Sequence, residues 1–392
     1  MTYLTQPTKI NAADITKRIQ VIDVLRGFAL LGIIILHSFD AFLISKYSEL
    51  TDAITPVENM VKFGVYTFIS KKFYAIFSFL FGLSFAMQLK SAKAKGVPFV
   101  GRFVWRLFIL LGIGSLHALI FPGDILQVYA PLGLLLILVR NWPDKKLLWM
   151  GGGLFLLSVA VVVCQEQLRS KLELILWQAF QIQAVPEKLY FQFFTGRLFI
   201  TASLFLFGLY AGNNNLFQTT LDNKRSVRQL IIGSGIFILL LTAVNFFLDR
   251  YLVFNTAIID DLKFSARAFR HIFMSCFYVA VLVQLYRKKL FRSVLQWLVP
   301  VGQMGLSVYI MQSVFLLFYY QLNSTDIHNN RILIEEALSI TLLFFVGQVL
   351  FANWWMSRYR FGPLEWLWRS LTYLKWQPMI NKKSADKKKS FA

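Results

Sequence analysis

The chain has four histidines, and one of them, His117, precedes Asp124 across a proline–glycine break. In the run HALIFPGDILQVY, from His117 to Tyr129, Pro122 and Gly123 end one apolar stretch and Asp124 opens the next. A chain reversing there brings His117 and Asp124 together at one depth. A carboxylate beside an imidazole fixes its tautomer and raises its basicity. That arrangement prepares a general base, and equally an imidazole that accepts an acyl group. A structural reading competes with it: Asp124 caps a helix, Gln127 sits at the capping-box position, and His117 makes an interhelical hydrogen bond.

The other polar residues within apolar stretches are few. Asp23 and Arg26 are three apart, on one helix face, and can pair; together they suit either a phosphate-bearing ligand or a purely structural ion pair. His37 is followed by Ser38 and Asp40, and either titrates or bonds a neighbouring helix. Gln303, Ser307, Tyr309, Gln312 and Ser313 form a polar face that serves as substrate contact or as helix glue, with Gly302 and Gly305 allowing close approach. Arg267, Arg270 and His271 share a face that attracts an anion or snorkels to an interface. Walker, dinucleotide and HExxH motifs are missing from the sequence, and the glycines of GFALLG lie inside an apolar stretch rather than in a phosphate loop. Cys164 and Cys276 lie in apolar runs without metal spacing and read as core residues.

These residues need elements to carry them, and the composition says which. Of the residues, 57% are hydrophobic and 16% charged, and the mean hydropathy is +0.56. A soluble domain has about a quarter charged residues. Blocks of about 20 apolar residues match a bilayer core, and a lone strand in lipid would leave its backbone unpaired. The reading is an all-α polytopic membrane bundle with about ten transmembrane helices plus interfacial amphipathic helices. The spans fall near 21–43, 73–89, 103–121, 125–139, 146–164, 197–212, 229–248, 266–286, 294–320 and 332–354. Residues 1–20 form an N-terminal segment, 21–376 a single membrane domain and 377–392 a basic, disordered tail. The first apolar block is read as a retained span, because about twenty mostly polar residues precede it and no small-residue cleavage site follows.

The net charge of +21 would suggest nucleic acid in a soluble protein. Here the basic residues alternate between connections, so membrane lipids are the expected partner and nucleic acid is not. One set of connections holds Lys90, Lys93, Lys95 and Arg102, then Arg140, Lys145 and Lys146, then Arg287, Lys288 and Lys289. The alternate set carries Glu166, Glu173, Asp249, Asp260 and Asp326. The positive-inside rule therefore predicts both termini in the cytoplasm. Lys71-Lys72 is the exception, on the outer side, where it binds something or marks a re-entrant segment. Residues 51–70 and 165–195 read as surface or roofing segments, and 361–376 as an interfacial anchor.

Five motifs in order resemble a known family: RIQVIDVLRGFALLGIIILHS, KKFYAIFSFLFGLSFAMQL, RLFILLGIGSLHALIFPGDILQVYAPLG, GQMGLSVYIMQS and FGPLEWLWRSLTY. They are similar to those of the YeiB-like bacterial membrane proteins, a domain of unknown function. That family commonly has asparagine where this chain has His37, which shifts weight to His117. The family is grouped with transmembrane acyltransferases that include the lysosomal heparan glucosaminide acetyltransferase. The resemblance implies a bacterial cytoplasmic-membrane protein that takes an acyl group, acetyl above all, from cytoplasmic acyl-CoA to an extracytoplasmic acceptor such as a cell-envelope saccharide. It implies His117 as base or acyl carrier, oriented by Asp124. Asp23, Arg26, Arg102 and Arg106 would meet the phosphates of the co-substrate, and His37, Tyr129, Tyr309 and Gln312 would contact substrate. The rival reading is a transporter or flippase for a small anionic or lipid-linked solute. Small-residue faces permit a homodimer.

Overall fold

The computed structural model describes residues 12–39, 56–121, 123–165, 168–171, 178, 187–217, 223–251, 257–324 and 334–380. The expectations for Asp40, Pro122, Glu166, Glu173, Asp326 and the tail from 381 lie outside the described residues, as does most of the 165–195 segment. The helices in chain order are α1 (Ala12–His37), α2 (Pro56–Phe68), α3 (Lys72–Ala94), α4 (Val100–His117), α5 (Leu126–Val139), α6 (Asp144–Val163), α7 (Glu187–Phe194), α8 (Arg197–Asn213), α9 (Lys224–Tyr251), α10 (Ala257–Arg287), α11 (Lys289–Leu295), α12 (Leu298–Gln303), α13 (Gly305–Ser324), α14 (Ile334–Arg358) and α15 (Pro363–Tyr373). Among the described residues, strand pairing is confined to an isolated antiparallel bridge between Tyr359 and Ile380.

Seven stretches are long and apolar enough to cross a bilayer: Gln20–His37, Pro56–Ala94, Val100–His117, Asp144–Val163, Lys224–Arg250, Ile259–Arg287 and Glu336–Arg358. The chain is thus an all-α polytopic membrane bundle. The other three expected spans correspond to shorter helices: α5, α8 and α13.

Burial separates the centre from the rim. The apolar stretch of α1 is 67% buried, against 11% for Lys224–Arg250. A helix apolar all round either sits in a core or faces lipid; α1 does the first, and α9, with Ile232, Ile236, Leu239 and Phe246 outward, the second. Around α1 pack α3 on one side and α12, α13 and α14 on the other. Helix α8 packs on α3, α5 and α6, and α9 pairs with α10. The α3–α8 crossing depends on the missing side chains of two glycines: a Cβ on Gly82 would meet the Phe205 carbonyl, and one on Gly208 the Phe79 carbonyl. Backbones approach this closely in membranes only through small residues.

Three expectations need correction. The span expected over 294–320 is broken into α11, α12 and α13. Pro300 lacks a donor N–H, and Gly302 lies so close to the Asp23 carbonyl that a Cβ would collide with it. Cys164 and Cys276 are exposed at the bundle surface rather than buried in the core, because helical periodicity turns their positions outward. Gln127 donates its side-chain amide to Ser115 Oγ at 3.2 Å, while the Asp124 N–H it was expected to cap donates to the Phe121 carbonyl at 3.1 Å.

At the end of the bundle where α1 carries Asp23 and Arg26, α15 lies across α4 and α13. Glu365 accepts from the N–H groups of Leu306 (2.7 Å) and Ser307 (3.0 Å) and from Ser307 Oγ (2.6 Å), so one carboxylate caps the start of α13. Trp368 Nε1 donates to the Arg106 carbonyl at 3.0 Å, and the Arg106 guanidinium stacks on the Trp368 ring at 4.0 Å. Residues 361–376, expected as an interfacial anchor, thus tie α4 to α13 within the bundle.

Candidate active site

Helix α4 ends at His117 and α5 begins at Leu126, and the turn between them holds the reversal expected from sequence. His117 Nδ1 lies 2.7 Å from Asp124 Oδ1. The second carboxylate oxygen of Asp124 accepts the Gln127 N–H at 2.9 Å, capping the first turn of α5. Gly114, one helical turn before His117, leaves room for this: a Cβ there would sit 3.0 Å from Asp124 Oδ2. Tyr309, from α13, donates its hydroxyl to Asp124 Oδ1 at 3.4 Å. Both members of the pair are withdrawn from solvent, with side-chain exposures of 1% and 0%.

With Nδ1 held by the carboxylate, the neutral imidazole keeps its proton there and leaves Nε2 as an acceptor. Nε2 is buried and has no hydrogen-bond partner among the described residues. Rings close around it: Tyr309 at 5.1 Å and Phe121 at 6.1 Å from the His117 ring, with His37 4.5 Å from Phe121 and 5.8 Å from Tyr309.

Two cavities have Tyr309 of this cluster as a common lining residue. The first, about 490 Å³, is lined by Asp23 and Arg26 near the start of the buried part of α1, by Arg106, and by Arg360, Glu365 and Arg369 from the last two helices and their link. The second, about 690 Å³, is lined by His37 at the far end of α1, with Lys71, Arg197, Arg267, Arg270 and His271. Fourteen residues of helix separate Asp23 from His37, roughly 21 Å at the α-helical rise, so the cavities open at opposite ends of α1. Ile33, Tyr74, Ile125 and Tyr309 line both. Tyr309, whose ring lies 5.1 Å from that of His117, is thus common to both cavities, while His117 itself lines neither.

The expected site residues divide as follows. His117, Asp124 and Tyr309 come together. Asp23, Arg26, Arg106 and Tyr129 line the first cavity and His37 the second. Arg26 bonds Asp23 at 2.7 Å and also donates to Ser84, while Gln303 donates to the other Asp23 oxygen at 3.3 Å. Tyr129 shares a 2.6 Å hydrogen bond with Ser78. Arg102 stands outside the cavity: it is exposed on α4 with its guanidinium over Tyr373 at 5.1 Å, one helical turn nearer the start of the helix than Arg106. Gln312 lines neither cavity. It is fully buried and donates to the Leu30 carbonyl (3.3 Å) and to Gln348 (3.2 Å), tying α1, α13 and α14 together. Sequence reasoning missed Arg197, Arg360 and Arg369 as lining residues. Arg360 and Arg369 flank FGPLEW in a segment read only as an anchor; for Arg197 the sole local signal is Gly196, which has φ +68° and turns the chain into α8.

Fold and site together define a polytopic helical membrane protein with a buried His–Asp pair and two basic cavities. The family model described as a protein of unknown function, DUF418, matches residues 211–375. YxaH of Bacillus subtilis (strain 168) is 30% identical, with 96% of this chain and 98% of that protein covered. A 39.9 kDa protein encoded in an amylase 3′ region of Bacillus acidopullulyticus is 29% identical over 94% of this chain and 98% of its own. YeiB of Escherichia coli (strain K12) is 26% identical, with 93% and 98% covered. No solved structure matches. The chain belongs to the YeiB-like DUF418 family.

Proposed function

We propose that this chain is a membrane-embedded acyltransferase that takes an acyl group, acetyl in the simplest case, from acyl-CoA on the cytoplasmic side and passes it to an acceptor on the outer side. The observation that carries the reading is the buried Nε2 of His117, unpartnered among the described residues, on a ring beside Tyr309, which is common to two cavities that open at opposite ends of α1.

The first cavity suits an acyl-CoA. Four arginines against two acids leave it a formal charge of +2, counted from Arg26, Arg106, Arg360 and Arg369 less Asp23 and Glu365. Guanidinium groups recognise phosphate through several donors at once. Further in, the lining turns to Tyr74, Phe77, Phe81 and Tyr129, apolar enough for a pantetheine arm and a short acyl chain. The alternation of basic connections supports a cytoplasmic position for this end, with both termini.

Nε2 of His117 takes a proton from the acceptor hydroxyl or amine as its oxygen or nitrogen bonds to the thioester carbonyl carbon. The carbon–sulfur bond breaks, the electron pair stays on sulfur, and His117 returns the proton there. Asp124 holds Nδ1–H throughout and balances the transient imidazolium, and the Tyr309 hydroxyl steadies Asp124. The wall of Tyr309 and Ile125 keeps bulk water from the thioester, whose hydrolysis is the competing reaction.

The test is binding and turnover of labelled acetyl-CoA by the purified full-length protein beside His117→Ala. Retained binding with turnover at least ~100-fold lower supports a general base, for which two to four decades are typical. Absence of binding by the wild type, for acetyl-CoA and longer acyl-CoAs alike, overturns the proposal.

A further inference from the structure

The second cavity differs from the first in its charge. Lys71, Arg197, Arg267 and Arg270 line it, together with His37 and His271, and none of the described lining residues is an aspartate or glutamate. The cations arrive from three directions: Lys71 from the turn between α2 and α3, Arg197 from the start of α8, and Arg267 with Arg270 from one face of α10. Lys72 adds a further ammonium close by, fully buried, with Nζ donating to the Tyr66 carbonyl at 3.0 Å.

Snorkelling would send such side chains apart, each to the nearest headgroup layer. Here three elements converge on one space instead. Nε of Arg197 and Nε of Arg270 are buried without a hydrogen-bond partner among the described residues, and buried donors are almost always satisfied. Arg197 stacks on Tyr74 at 5.2 Å, and Tyr74 belongs to the wall shared with the first cavity. The Arg197 guanidinium therefore sits beside a residue common to both cavities. Concentrated positive charge in low dielectric calls for an anion.

We infer that the second cavity binds a phosphoryl-bearing molecule, held by Arg197 and Arg270, and that this molecule is the acyl acceptor. The anion site stands on its own geometry; only the role of acceptor rests on the acyl-transfer reading. A phosphoryl group fits because two guanidinium forks and an ammonium outnumber what one carboxylate can accept. A lipid headgroup and a water-soluble phosphate ester both carry the group.

Thermal unfolding of the full-length protein in neutral detergent, with glycerol 3-phosphate or with glycerol, tests the soluble source. The same measurement in nanodiscs of phosphatidylcholine with and without phosphatidylglycerol tests the lipid source. Arg197→Gln/Arg270→Gln is compared with wild type in both, and acetyl-CoA binding to each reports on the first cavity. Stabilisation by glycerol 3-phosphate but not glycerol, weakened roughly tenfold or more in the double variant, supports the proposal with a soluble ligand. Stabilisation by phosphatidylglycerol alone, lost in the variant, supports it with a lipid ligand. No charge-dependent stabilisation in either setting, or equal stabilisation of variant and wild type, overturns it. Should the double variant fail to fold, Arg270→Gln alone is read in its place by the same criteria. Anion binding without acetyl-CoA binding would remove the acyl-transfer reading and leave the anion site standing.

Discussion

Replacing Asp124 by asparagine separates the structural role of this residue from its chemical one. The fully buried carboxylate makes contacts of different kinds: Oδ2 accepts the Gln127 N–H at 2.9 Å, while Oδ1 faces His117 Nδ1 at 2.7 Å and accepts the Tyr309 hydroxyl at 3.4 Å. Asparagine is as good an N-cap as aspartate, and its carbonyl oxygen can take the first contact. Its amide nitrogen then faces Nδ1, donates where the carboxylate accepted, and drives the ring proton to Nε2. The atom proposed to take the acceptor's proton becomes a donor. A hydrogen bond to a charged group contributes about 1.5–3 kcal/mol, which converts to roughly 10- to 150-fold in rate. The reversed tautomer adds to this, as in a serine-protease triad, where the corresponding change costs about 10⁴. The expected outcome is a fall in acetyl transfer of between ~10² and ~10⁴ in kcat, with acetyl-CoA affinity within about twofold of wild type, since Asp124 does not line the first cavity. Melting temperature should fall by no more than a cap exchange explains, a few tenths of a kcal/mol. The assay is single-turnover transfer from labelled acetyl-CoA, read beside thermal unfolding of the same preparation. An Asp124→Asn protein that folds and turns over at the wild-type rate would refute the tautomer argument and return the pair to a helix cap.

Gly208→Ala should destabilise the bundle by about 1–3 kcal/mol, the usual cost of overpacking, because its Cβ collides with the Phe79 carbonyl. Thermal unfolding in detergent reads this against Gly152→Ala, whose Cβ meets open space; equal stabilities would contradict the described crossing. Glu365 gives a pH dependence. Burial raises its carboxyl above the ordinary 4.5, opposed by the donors of Ser307 and Leu306. An acid raised on folding lends stability that is fully present below its unfolded value and is lost as pH rises through the folded one. Wild type should therefore lose stability relative to Glu365→Gln between pH 4.5 and neutrality, as followed by urea unfolding, and parallel curves would show the shift to be absent. Glu365→Ala, which strands the N–H groups at the start of α13, should lose stability at every pH.

The parts of the site that could be read in the sequence are those whose partners are close along the chain. His117 and Asp124 are seven residues apart, and Asp23 and Arg26 three, so spacing and a turn signal suffice. Tyr309 meets Asp124 across 185 residues and Glu365 meets Ser307 across 58; no local pattern reports such contacts. Arg102 and Arg106 looked equivalent as basic residues on one face of an apolar helix, yet one turn of helix carries Arg102 about 6 Å along the axis, to Tyr373 rather than to the Trp368 that Arg106 stacks on. Hydropathy located the stretches that cross a bilayer because lipid demands a single composition. It misjudged 294–320 because a run can remain apolar through a break. Lys71-Lys72 stood out as positive charge on the wrong side, and that misfit was the earliest trace of the second cavity.

The shared wall also has an electrical consequence. Water filling both cavities would carry each bulk potential deep into the bundle, leaving Tyr74, Ile125 and Tyr309 as the insulator. The membrane voltage would then be concentrated over that septum rather than spread over the thickness of the hydrocarbon. Each elementary charge crossing that septum exchanges about 2.3 kcal/mol per 100 mV, a proton as much as any other. A neutral acyl group crosses at no electrical cost, whereas any proton that His117 carried through would be driven or opposed by the cell's own battery.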